Sequence, residues 1–163
     1  MRTSTPHLVA VVTAAALSAL AWPAFAQETQ SQATYRDIEE TLGSVPGFFK
    51  QLPATAIAGA WAEMKTFQLN PGTQLDGKTK ELIGLAVAAQ IPCQYCIYFH
   101  TAAAKANGAT DEEIKEAVAM AAVARHWSTV LNGMQVDVAG FKRDTDTVLN
   151  AAAEKAKAAG RSQ

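Results

Sequence analysis

Cysteine is scarce: two residues in 163 cannot staple a scaffold, which leaves either one local bridge or a redox couple. There is no surplus of positive charge, with 14 Lys and Arg against 15 Asp and Glu. Such a chain has no overall field to neutralise phosphates, so no nucleic acid partner is expected. No stretch of strand length alternates Val, Ile, Tyr or Thr with polar residues, and the pattern of a half-buried sheet is therefore missing. A phosphate cradle, a serine triad motif and a nucleotide-binding fingerprint are also missing. What remains is 49% apolar and rich in alanine, a composition that favours helices. The length lies in the usual range for one domain, so the expectation is an all-α, single compact domain of about six helices.

The first 26 residues stand apart from the rest. They begin with Arg2, pass through an apolar run from Leu8 to Leu20 and end on Ala24, Phe25 and Ala26, a small-x-small cleavage signature. Residues 1–26 therefore read as a signal peptide cut after Ala26, with a retained anchor as the alternative. The apolar run is short beside the roughly 20 apolar residues of a spanning helix, and no stable membrane insertion is expected after cleavage. Polar residues 27–34 read as a flexible leader. A periplasmic destination would place both cysteines in an oxidising compartment where disulfides persist.

Thr34 with Asp37 predicts the capped start of a short helix that ends by Gly43, and Pro46 and Gly47 mark a turn. Pro53 opens a second helix to about Gln68, with Ile57, Trp61 and Met64 along one side. Asp76 caps a third from Gly77 to Gln90 that carries Glu81 and an apolar face of Leu82, Leu85, Ala86 and Ala89. Pro92 opens a fourth through both cysteines to Ala106, stopped by Asn107 and Gly108. The capping box of Thr110 and Glu113 launches a fifth towards Arg125, with a continuation through Trp127 to Leu131. Asp144 or Thr145 caps a last helix that ends near Gly160. His126 and Trp127 read as capping and packing at a helix end. Tyr95, Tyr98 and Phe99 read as core or subunit interface, unless one lines a pocket.

The chemistry concentrates in Cys93-Gln94-Tyr95-Cys96 followed by His100. At about 100° per residue, the steps from Cys93 to Cys96 and to His100 turn through about 300° and 700°, which puts all three on one helix face. An imidazole one turn from Cys96 can hold or remove a proton while a thiolate forms. Unsatisfied amides and the macrodipole at the helix start favour a thiolate there, most of all on Cys93. Within a regular helix, side chains three apart have Cβ atoms about 5–6 Å apart, wider than the roughly 3.5–4.5 Å of a relaxed disulfide. Closing the bond would strain that turn, and strained bridges tend to be the labile, catalytic ones.

The run from Glu81, twelve residues before Cys93, to His100 resembles the alkylhydroperoxidase D-like branch of the carboxymuconolactone decarboxylase superfamily. The flanks agree: Lys80-Glu81-Leu82-Ile83 before the motif, and Gly108-Ala109-Thr110-Asp111-Glu112-Glu113-Ile114 after it. The likeness spans about residues 35–135. What the resemblance implies is an all-α fold that assembles into homo-oligomers and runs a peroxidase cycle. The dithiol reading itself expects a hydroperoxide or disulfide substrate, with no cofactor and no metal. Cys96 matches the thiolate that attacks the peroxide, and Cys93 the thiol that resolves the sulfenic acid to a disulfide. Glu81 and His100 match the residues that relay protons. The macrodipole argument favours Cys93 as the more acidic thiol; the resemblance favours Cys96 as the nucleophile, and the position of His100 agrees with it. Cytoplasmic members are re-reduced by a lipoyl partner that an exported protein could not reach, so the thiol reductant is unknown.

Other readings stand beside this one. The pair could form a purely structural bridge in a non-enzymatic oligomeric protein. Cys93, Cys96, His100 and Glu81 could supply four zinc ligands, although their spacing lies outside the common patterns. Covalent haem is excluded by Ile97, where that motif needs His. A carboxymuconolactone decarboxylase-type enzyme would use acid–base chemistry without the thiols.

Overall fold

The structure is a computed structural model and describes residues 29–161. The expected signal peptide and its cleavage after Ala26 lie outside the described residues, as do Gln27 and Glu28 of the expected leader. The described residues form six helices and no strand, the all-α architecture expected. These are α1 (29–42), α2 (Ile57–Glu63, continuing as a π turn over Met64–Gln68), α3 (Gly77–Gln90), α4 (Gln94–Ala106), α5 (Asp111–Gly133) and α6 (Val138–Arg161), with a short 3-10 helix at Gly47–Gln51. The described residues fall into two compact units, 29–74 and 75–161.

In the first unit, Ile38, Phe49, Ile57 and Trp61 form a buried cluster, with Tyr35, Val45, Met64 and Leu69 packed around it. Ile57, Trp61 and Met64 supply it because they recur on one side of a helix. The Trp61 ring meets Phe49 edge-on at 5.7 Å. Its Nε1 donates to Asp37 at 2.7 Å, and Lys65 holds the other Asp37 oxygen at 2.5 Å. Residues 29–34 are helical, not a flexible leader, and Thr34 is not an N-cap. The reason is one inward face: Ser31, Thr34 and Ile38 are all buried at helical spacing, and the Thr34 hydroxyl donates to the Gln30 carbonyl at 2.9 Å. The second helix starts at Ile57, later than Pro53, because the Pro53 carbonyl first closes a turn onto the Ala56 and Ile57 N–H groups.

In the second unit, α3 lies between α4 and α5 and packs extensively on both. Asp76 caps α3 as expected, its carboxylate accepting the Thr79 N–H at 2.7 Å. Gly77 at the start of α3 lies so close to Asn107 at the end of α4 that a Cβ there would collide with the Asn107 side chain. The two helices therefore form an antiparallel hairpin through the short Ile91–Cys93 link. Along α5, Glu113 pairs with Lys78 at 2.7 Å, and Arg125 Nε donates to Gln90 Oε1 at 2.7 Å. Both pairs are 35 residues apart in sequence, so α3 and α5 run parallel.

The buried face of α3 is Lys80, Glu81, Leu85 and Ala88, which is turned from the expected Leu82, Leu85, Ala86 and Ala89. Apolar residues surround this helix, so periodicity alone could not choose the side. The capping box at Thr110 and Glu113 is present, but α5 runs unbroken to Gly133. His126 and Trp127 consequently sit within the helix, and Trp127 is exposed. The last helix starts at Val138, earlier than Asp144, because Asp137 accepts the Gly140 N–H at 2.6 Å. No helix among the described residues is long and apolar enough to cross a membrane.

Several carboxylates here are tied to folding. The Lys78 ammonium and the Thr110 N–H hold Glu113 below its ordinary value. The Thr79 N–H does the same for Asp76, and Lys65 with Trp61 for Asp37. A depressed folded pKa gives stability that is complete above the unfolded value and is lost as pH falls through the folded one. The ordinary values are 4.5 for Glu113 and 3.8 for the aspartates. The melting temperature should therefore hold near neutrality and fall in the acid range at and below those values. Glu113→Gln should melt below wild type at pH 6, with the gap narrowing towards pH 3; thermal scans at both pH values check this.

Candidate active site

The dithiol sits where the α3–α4 hairpin turns. Cys93 is the N-cap of α4, with extended backbone, and its sulfur accepts the Cys96 N–H at 3.2 Å. This differs from the expected arrangement, in which Pro92 would open the helix and both cysteines would lie inside it. A sulfur atom takes the capping role usually filled by a hydroxyl or carboxylate oxygen, so the helix begins at Gln94. The strain expected for two cysteines within one regular helix loses its premise, because only Cys96 has helical surroundings. The two sulfurs are joined as a disulfide, with Cα atoms 5.3 Å apart.

Both cysteines are partly exposed. Cys96 is the third residue of α4, so its sulfur and that of Cys93 share the zone of unpaired amides and positive dipole. That zone favours thiolate once the bond is reduced.

His100 lies one turn after Cys96 on α4, and Glu81 stands in the first half of α3. The antiparallel hairpin brings them together: His100 Nδ1 is 2.6 Å from Glu81 Oε2. The carboxylate side chain is 5% exposed and the imidazole 21%, so the pair reaches from the interior towards solvent. An ionised Glu81 requires the hydrogen on Nδ1, which leaves Nε2 as the nitrogen that takes up or gives out a proton. Phe99 meets the imidazole edge-on at 5.3 Å.

All four residues singled out in the sequence therefore belong to this hairpin. They group as two joined sulfurs and one carboxylate–imidazole pair. Among the described residues no three His, Cys, Asp or Glu side chains form a cluster able to hold a metal ion. Tyr95 and Tyr98 are 79% and 80% exposed, so they are not core residues of the chain. Two features escaped the sequence reading: the capping role of Cys93, and Gly84, against which the His100 ring rests. A lone glycine inside a helical pattern was the signal for the second.

An apolar groove of about 460 Å³ runs between α3 and α5, lined by Ile83, Ala86, Val87, Met120 and Ala124 among others. None of Cys93, Cys96, His100 and Glu81 lines it, so it is not the dithiol site.

Comparison with known proteins gives three findings. The sequence profile of the carboxymuconolactone decarboxylase family matches residues 55–138, just over half of the chain. A Paracoccus denitrificans protein described as "Uncharacterized protein 4 in cox locus" is 47% identical over 51 residues, 31% of this chain and 46% of its own length. The chain thus spans about half of the curated relative it matches. The crystal structure of the alkylhydroperoxidase AhpD core from Rhodospirillum rubrum superposes with a TM-score of 0.59 at 29% identity, covering 81% of this chain and 93% of that one.

Proposed function

The chain belongs to the carboxymuconolactone decarboxylase family, in its alkylhydroperoxidase D-like branch, and on that footing we propose that it is an exported thiol-dependent peroxidase that cycles Cys93 and Cys96. The observation that carries this reading is the joining of those two sulfurs at the start of the helix that also carries His100, whose imidazole meets Glu81.

In the proposed cycle the Cys96 thiolate attacks the outer oxygen of a hydroperoxide. The O–O bond breaks, Cys96 becomes a sulfenic acid, and the departing alkoxide takes a proton to leave as the alcohol. Cys93 then attacks the Cys96 sulfur, forming the disulfide and releasing water. An external dithiol restores both thiols and leaves as its own disulfide. His100, steadied by Glu81, takes the proton from Cys96 and returns one to the departing oxygen. Cys96 is favoured as nucleophile by its place one turn from His100, and the family resemblance gives Cys93 the resolving role.

The test is direct. Protein starting at Gln27, given an alkyl hydroperoxide and dithiothreitol, should form one alcohol per dithiol oxidised, well above the uncatalysed rate. No acceleration would sink the proposal. Turnover of a lactone acid by a chain lacking both thiols would favour the family's acid–base chemistry, with Glu81 and His100 as its acid and base.

The same reading includes assembly of several copies. Ile83, Val87, Met120 and Trp127 on α3 and α5 are 49–62% exposed, and contiguous exposed apolar surface is where protein contacts form. Light scattering should give a mass that is a multiple of one chain, and Val87→Glu should lower it. A monomeric wild type would contradict assembly.

A further inference from the structure

We propose that Gly84 is a positioning residue for His100: its bare backbone forms the seat that holds the imidazole on Glu81. Gly84 follows Glu81 by three residues on α3, so both face α4 from nearly the same side. The ring fills the place a side chain would take. A Cβ built on Gly84 would stand 2.5 Å from His100 Cε1, 2.5 Å from Nδ1 and 2.8 Å from Nε2. Carbon atoms in contact prefer about 3.5–4.0 Å, so even one methyl group must drive the ring outward by about 1 Å.

That displacement acts on one bond above all. His100 Nδ1 lies 2.6 Å from Glu81 Oε2, and a ring lifted from α3 moves away from a carboxylate anchored in the buried face of the same helix. With Nδ1 released, the hydrogen is no longer held there, and Nε2 ceases to be the fixed site of proton exchange. Helix propensity works in the opposite direction. Glycine is a poor helix former and alanine the best, so helix formation alone gives no reason for glycine at this position. Its neighbours Ile83, Leu85, Ala86 and Val87 all carry a Cβ.

The kinetic part of this inference rests on the proposed peroxidase reading; the structural part does not. Gly84→Ala is compared with wild type, with Glu81→Gln, and with Gly59→Ala in α2, where a Cβ meets nothing within 4 Å. In protein labelled with 15N at histidine, the wild type should show His100 with its hydrogen fixed on Nδ1. Gly84→Ala should lose that signature as Glu81→Gln does, and Gly59→Ala should keep it. The rate of Cys96 oxidation by peroxide in a single turnover should fall on the order of 10²-fold in Gly84→Ala, as expected for a catalytic group misplaced by about 1 Å.

An unchanged Nδ1 signature in Gly84→Ala overturns the proposal. If the wild type shows the signature but ignores peroxide, the peroxidase reading fails while the seat is still judged by the spectrum. Should Gly84→Ala not fold, Gly84→Ala/His100→Ala decides: recovery of folding means that the imidazole and the methyl group compete for one space. Continued failure to fold overturns the proposal.

Discussion

Cys96→Ser should lose hydroperoxide turnover by roughly 10³-fold or more, because a serine hydroxyl is a far weaker nucleophile than a thiolate. Cys93→Ser should behave differently. It keeps the attacking sulfur, so one equivalent of peroxide should still be consumed, and the reaction should stop with a sulfenic acid on Cys96 that a dimedone label traps. The sulfurs share one helix start and are both partly exposed, so dipole and exposure do not rank them; the kinetic asymmetry does. If Cys93→Ser abolished the first equivalent and Cys96→Ser retained it, the roles would be exchanged. If both variants turned over as wild type, the dithiol would have no part in the chemistry.

A second large effect is expected at the carboxylate–imidazole pair. His100→Asn should lower the rate of Cys96 oxidation by about 10²–10⁴-fold, the usual contribution of a positioned acid or base. Glu81→Gln should give a loss in the same range, because a neutral amide no longer fixes the hydrogen on Nδ1. The telling quantity is the double variant. Two residues joined by a hydrogen bond of 2.6 Å act as one unit, so losses should be strongly non-additive, the double variant resembling the worse single. Losses that multiply would mean that Glu81 and His100 act separately.

Much of this arrangement could be read from residues alone, for identifiable reasons. Asp76 and the Thr110–Glu113 box announce α3 and α5 because capping side chains satisfy amides that have no partner within the helix. Cys93, Cys96 and His100 were legible through spacing, and Glu81 through the family pattern. The misplacements have equally local causes. Pro92 signals a helix start, but the sulfur of Cys93 serves as the cap and delays the helix to Gln94. The apolar residues on every side of α3 hide which face is buried, and so hide that Glu81 points inward. Ser31 and Thr34 look like leader residues until Ile38 shows that all three share one buried side. Gly84 carries no chemistry of its own, and its role appears only when α4 lays an imidazole over it.

The most direct test of the central claim is a count of thiols. Fully reduced protein is treated with a single equivalent of alkyl hydroperoxide, alkylated, and weighed by mass spectrometry before and after digestion. Loss of both alkylation sites within seconds, one Cys93–Cys96 crosslink and one alcohol per chain are the expected result, with dithiothreitol restoring both sites. Two sites that stay open to alkylation while peroxide persists, or a crosslink that dithiothreitol cannot open, would contradict it.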